Sequence, residues 1–130
     1  MDTLTFTVSR PTPNVVALHL QGRVDAASET LVREQASRLH AEGARHLLLD
    51  LSQVDYISSA GLRAIHTMYK LFTPADEIKA WQPGGDVYKT PYFKLLCPSP
   101  QVYGVLNLAG FLHNIPFFTN LKDALESFAL

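Results

Sequence analysis

Cysteine is almost missing from this chain: Cys97 is the single one in 130 residues. One thiol cannot close an internal disulfide, so a stapled secretory scaffold is excluded. Cys97, inside the apolar run Phe93-Lys94-Leu95-Leu96-Cys97, is expected to be a small buried hydrophobe. Long apolar runs are missing as well. None approaches the roughly 18 residues a membrane span needs. The start Met1-Asp2-Thr3-Leu4-Thr5 lacks the basic residues and apolar stretch of a signal peptide, so the expected location is the cytoplasm. There is no excess of positive charge: the formal net charge is −1, and Lys and Arg are scattered. That argues against nucleic acid and against direct attachment to an anionic membrane, since both need concentrated basic residues. No Gly-x-x-x-x-Gly-Lys, Cys-x-x-Cys or Gly-x-Ser-x-Gly occurs, and the five histidines lack metal-ligand spacing. No metal or cofactor is expected.

What is present suits one globular domain over residues 1–130. Leu4-Thr5-Phe6-Thr7-Val8 alternates apolar and polar, as a half-exposed strand does. Arg10-Pro11-Thr12-Pro13-Asn14 is expected to stop its pairing, because two prolines remove two donors. Val15 to Leu20 is a second strand, pairing back as an antiparallel hairpin. A helix is expected from about Ala27 to Glu42, with Gly43 as its stop. His46 to Leu51 is short and almost wholly apolar, as in a parallel strand covered on both faces. A second helix starts near Ser58 or Ser59, with Leu62, Ile65, Met68, Tyr69 and Phe72 on its apolar stripe. Tyr92 to Cys97 reads as a strand, Val102 to Ala109 as a helix and Ile115 to Phe118 as an edge strand. Asn120 caps a last helix. The result is an α/β domain with a mixed sheet of about five strands and about four helices.

The informative stretch runs from Asp50 to Arg63: the end of a buried strand, a short loop and a helix start. Functional groups gather outside the carboxyl ends of strands in such sheets. Two readings of Ser58 and Ser59 stand side by side. Their hydroxyls can cap the helix, or the free N–H groups and the positive helix end can receive a phosphate there. Gly61 lacks a side chain, so a partner could approach the backbone.

Asp50-Leu51-Ser52 followed by Ile57-Ser58-Ser59-Ala60-Gly61-Leu62 resembles the signature of STAS domains, the anti-sigma factor antagonist family. Gly22-Arg23-Val24-Asp25-Ala26 is similar to that family's Gly-x-x-Asp turn, and residues 101–128 to its C-terminal helix–strand–helix. The resemblance implies a STAS fold and a protein-binding regulator, not an enzyme. It implies a partner that is an anti-sigma factor, often a serine kinase of the histidine-kinase-like ATPase fold; apart from the resemblance, a phosphatase is a further candidate partner, and a second copy of the chain is one through the insert at residues 73–90. Aligned on Gly61-Leu62, the phosphoacceptor is Ser59, with Ser58 as the alternative. Ser58 stands where the family usually has Asp, and Ala60 where it has a second Ser or Thr. The partner surface implied is Asp25, Ser58, Ser59, Gly61, Leu62, Arg63 and His66. Asp25 also has a plainer reading, as a turn residue capping the helix after it.

Residues 73–90 have no counterpart in the family pattern. A helix-to-strand link usually takes roughly 2 to 6 residues, so this segment reads as a loop insert. Its tryptophan, Trp81, either holds the insert down on the domain or anchors a partner. Two rival functions remain. One is an enzyme with Ser58 or Ser59 as nucleophile and His46, His66 or His113 as base; His66 lies about 10 Å along the helix from Ser59, too far for a hydrogen bond. The other is a STAS scaffold that is never phosphorylated, or a STAS subunit of a transport or lipid-trafficking complex.

Overall fold

The first two strands, β1 (Thr5–Thr12) and β2 (Val15–Val24), form the antiparallel hairpin expected of them. The chain is seen in a computed structural model that describes residues 4–80, 88–96 and 99–129. Pairing does not stop at Arg10, as the prolines suggested. β1 runs on through Pro11 to Thr12, with a register shift between Ser9 and Thr12, and the turn falls at Pro13 and Asn14. β1 is the edge of the sheet, and an edge strand tolerates a missing N–H at a bulge.

Helix α1 (Glu29–Ala41) leads into β3 (Leu47–Ile57), and α2 (Ser59–Phe72) follows almost at once. β3 is much longer than the expected His46–Leu51. It stays paired with β2 as far as Val24 and Ile57, through two places where β3 carries an extra residue. These bulges change the spacing of inward residues from two to three, so Leu51, Val54 and Ile57 all reach the core.

A six-residue helix α3 (Ala75–Ala80) occupies the first part of the segment expected to be loop. Trp81 and Cys97 lie outside the described residues. The two ends of the insert are joined by a buried bond of 2.8 Å between the hydroxyls of Thr73 and Thr90. Then come β4 (Phe93–Leu96), α4 (Pro100–Leu108), a 3-10 turn, β5 (Phe117–Phe118) and α5 (Leu121–Ser127). The sheet is five-stranded and mixed, in the order β1-β2-β3-β4-β5, with every pair after the hairpin parallel.

The main core lies between one face of the sheet and α1, α2 and α4: Leu18, Leu20, Leu49 and Leu51 meet Val32, Leu39, Ile65, Met68 and Leu106. The other face carries Val15, Ala17, Leu48 and Leu96 under Ala124 of α5 and Phe128, the residue that caps its end. Burying a side chain such as Ile65 or Met68 stabilises by ~1.5–3 kcal/mol. That outweighs the ~1 kcal/mol helix-propensity cost of Gly61 inside α2.

Candidate functional site

Strands β2 and β3 end side by side. The Ser58 N–H donates to the Val24 carbonyl at 2.9 Å, so Asp25 and Ser59, each one residue further on, emerge at the same end of the sheet. Ser58 has extended backbone (φ −90°, ψ 178°), and its hydroxyl accepts the Gly61 N–H at 3.2 Å. The capping reading therefore holds for Ser58. Ser59 is the first helical residue, and it is exposed. No acidic residue stands in the first turn of α2. The positive end of the helix is thus unopposed by a carboxylate of its own first turn.

Gly61 has a different task from the one expected. It is buried, and a Cβ there would lie 2.4 Å from the Val24 oxygen and 2.9 Å from Val24 Cγ1. The missing side chain lets α2 close onto β2; it does not open backbone to a partner. Leu62 is half-buried against the core, while Arg63 and His66 are exposed on the outer face of α2. The His66 ring stacks with Tyr69, and partial burial, together with the charge of Lys70, holds its imidazole below the ordinary range.

Asp25 is the turn residue of the plainer reading. Its Oδ1 accepts from the N–H groups of Ala27 at 3.0 Å and Ser28 at 3.2 Å, fixing the entry to α1. Its other oxygen lies 3.6 Å from Nε of Arg23. The Arg23 guanidinium in turn covers the Tyr56 ring at 4.2 Å, and Tyr56 is 43% exposed. Sequence reasoning assigned no role to Arg23 or Tyr56. An open groove of about 260 Å³ runs beside them, between the end of β3 (Asp55, Tyr56, Ile57) and α4 (Gln101, Val102, Val105).

The Asp-Leu-Ser element is a clasp within the first β3 bulge. Asp50 Oδ1 accepts both the Ser52 N–H at 2.9 Å and the Ser52 hydroxyl at 2.6 Å. His46 and His113 lie elsewhere. His46 precedes β3, at the far end from Ser59, packed near Tyr92 and Phe128. His113 sits in the turn after α4. Neither is assembled with the serines. Among the described residues no group of three or more His, Cys, Asp and Glu is placed to hold a metal ion, and no helix is long and apolar enough to cross a membrane.

Residues 8–76, more than half of the chain, match the STAS domain. The chain belongs to the STAS domain family. A candidate anti-sigma factor antagonist of Bordetella bronchiseptica, BtrV, is 33% identical over 111 residues, covering 84% of this chain and 82% of that protein. Among solved structures, an anti-sigma factor antagonist from Mycobacterium paratuberculosis superimposes with a TM-score of 0.75 at 20% identity, over 98% of this chain and 95% of that one. The Bacillus cell fate determinant SpoIIAA in its phosphorylated form does so with a TM-score of 0.63 at 17% identity, over 96% and 100%. These structures share the STAS fold seen here: a mixed sheet with helices on both faces. The long β3 and its double bulge deliver the STAS signature to the rim of that sheet.

Proposed function

We propose that this STAS domain is an anti-sigma factor antagonist. It docks an anti-sigma factor on the rim carrying Asp25, Ser58, Ser59, Leu62, Arg63 and His66, and releases it when Ser59 is phosphorylated. The observation that carries the reading is the division of labour between the two serines. Ser58 is committed to the cap, and Ser59 stands exposed at the first position of a 14-residue helix. A phosphate on Ser59 meets the positive helix end, and Arg63 follows one turn along the same helix. The domain therefore carries the dianion without refolding, while a protein covering the rim must desolvate it. Each ~1.4 kcal/mol of that cost weakens the complex tenfold.

The kinship with BtrV and the phosphorylated state of SpoIIAA support the same assignment. The partner is then a serine kinase of the histidine-kinase-like ATPase fold, with a phosphatase resetting the switch in the cytoplasm. The domain acts by binding, not by turnover. Arg23 on Tyr56 and the groove beside them offer a pre-formed anchor at the same rim.

The test is mass spectrometry of the protein from its own cells, followed by partner capture with the native chain, Ser59→Ala and Ser59→Asp. Phosphate on Ser59, capture by Ser59→Ala and loss of capture with Ser59→Asp are expected. Capture unchanged by Ser59→Asp leaves a constitutive scaffold and overturns the switch.

A further inference from the structure

The sheet face turned away from α1 and α2 holds a second group of polar residues, two of which, Ser9 and His19, are remote from Ser59 in the chain. Side chains alternate along β2, so His19 shares the face of Ala17, which packs under α5. His19 is less deeply covered than Ala17: its side chain is 31% exposed. Across the hairpin, Ser9 pairs with Ala17 and Thr7 with His19, which sets Ser9 on the diagonal from His19. The Ser9 hydroxyl lies 2.7 Å from His19 Nε2. His19 Nδ1 lies 2.6 Å from Asp50 Oδ2 on β3. The remaining Asp50 oxygen is held by the N–H and hydroxyl of Ser52.

Asp50 fixes the direction of one of these bonds. Burial pushes the Asp50 carboxyl up, but hydrogen bonds from Ser52 and His19 outweigh it and hold the group below its ordinary value. Asp50 is therefore a carboxylate at neutral pH and can only accept. His19 Nδ1 faces that carboxylate and so carries a proton; in the neutral form of the ring, Nε2 is then the acceptor for the Ser9 O–H. Three adjacent strands thus build hydroxyl, imidazole and carboxylate in the order and tautomer of a nucleophile–base–orienter relay. Ser9 is exposed, and an open hollow of about 330 Å³, lined by Thr5, Thr7, His19, Gln21, Asp50 and Gln53, lies beside the ring.

We propose that Ser9 is an activated nucleophile that accepts an acyl group from activated acyl donors, aryl esters and acyl phosphates, with His19 as its general base and Asp50 as the residue that positions His19. In the step, Ser9 Oγ bonds to the acyl carbon while its proton passes to His19 Nε2. The bond from that carbon to the leaving oxygen then breaks, and the leaving group departs with the proton. Acyl-Ser9 and a free phenol, or a free phosphate, are the products. This is a single transfer onto the chain itself, and it does not depend on Ser59 or any partner.

The probe is p-nitrophenyl acetate with the full chain, read by peptide mapping. Ser37 and Ser59, both exposed, are the reference serines. Acetyl-Ser9 is expected to form faster than acetyl-Ser37 or acetyl-Ser59 by about 10²-fold, the low end of what a positioned general base supplies. His19→Gln should remove that advantage. Asp50→Asn, which keeps the shape but no longer dictates the tautomer, should lower it at least about tenfold. Reference-serine labelling and the far-ultraviolet spectrum report whether either variant is still folded. Asp50→Glu, keeping the charge, gives a second reading by partial retention if Asp50→Asn unfolds. Ser9 labelled no faster than Ser37, or labelled equally in folded His19→Gln, overturns the proposal and leaves the three residues as a tie between strands.

Discussion

Gly61 of α2 lies against the carbonyl of Val24 at the end of β2, with no room between them for a methyl group. Helix propensity alone favours alanine there by ~1 kcal/mol. The clash with a backbone oxygen works the other way, and overpacking of this kind costs ~1–3 kcal/mol or more. Gly61→Ala should therefore be less stable than the native chain by ~1–3 kcal/mol in urea unfolding. A gain in stability would show that α2 can slide off β2 at little cost.

The two serines should separate in the same assay. Ser58→Ala removes the cap on the Gly61 N–H and should cost ~1 kcal/mol. Ser59→Ala, on the exposed surface, should stay within ~0.5 kcal/mol of native. Ser58→Asp, which restores the residue STAS domains usually carry there, keeps a cap oxygen and adds a negative charge at the positive helix end. It should match or exceed the native chain, by up to ~1 kcal/mol at low salt.

Acid should act through Asp50. Its folded carboxyl lies below the ordinary value, so the unfolded chain binds the proton first as pH falls. The stability it contributes is complete above the unfolded value of about 3.9 and is lost as pH drops through the folded one. The native chain should exceed Asp50→Asn in stability at pH 7, and the gap should shrink as pH falls below about 4. A gap that does not change with pH would mean the carboxylate is not what the clasp uses.

Thr90→Val tests the closure of the insert. The swap keeps the shape but strips the buried Thr73 hydroxyl and the Tyr92 N–H of their shared partner. A buried polar group left unpaired costs ~1–3 kcal/mol. The loss should show in thermal unfolding and in faster proteolysis between residues 73 and 90.

Local signals carried much of this fold. Ser58 marked the start of α2 because a cap is written in neighbouring residues, and Gly43 and Asn120 marked helix limits in the same way. The alternation of β1 and the apolar run of β3 placed the first strands. What escaped depended on partners distant in the chain. β3 looked finished at Leu51 because its bulges spaced the next inward residues three apart, a pattern that is neither strand nor helix. β1 looked broken at Pro11 because nothing local says a strand lies at an edge. At the site, Ser59 and Asp25 stood out by motif. The packing of Gly61 on Val24, the stack of Arg23 on Tyr56 and the pairing of His19 with Asp50 join residues 31 to 37 positions apart, and no periodicity announces them. Helix α3 is too short to leave a repeat of its own.

The order of strands across the sheet is also their order along the chain. A chain growing from its N-terminus can thus lay each new strand beside one already in place, without holding a gap open for a later arrival. For backbone pairing the hairpin needs no strand made after it, and β3 needs only β2. Premature termination after α2 would accordingly yield a three-stranded fragment whose outer strand, β3, offers the bare ladder that β4 normally covers. Such a fragment should be sticky toward its own kind, and rescuable by a peptide carrying residues 91–130.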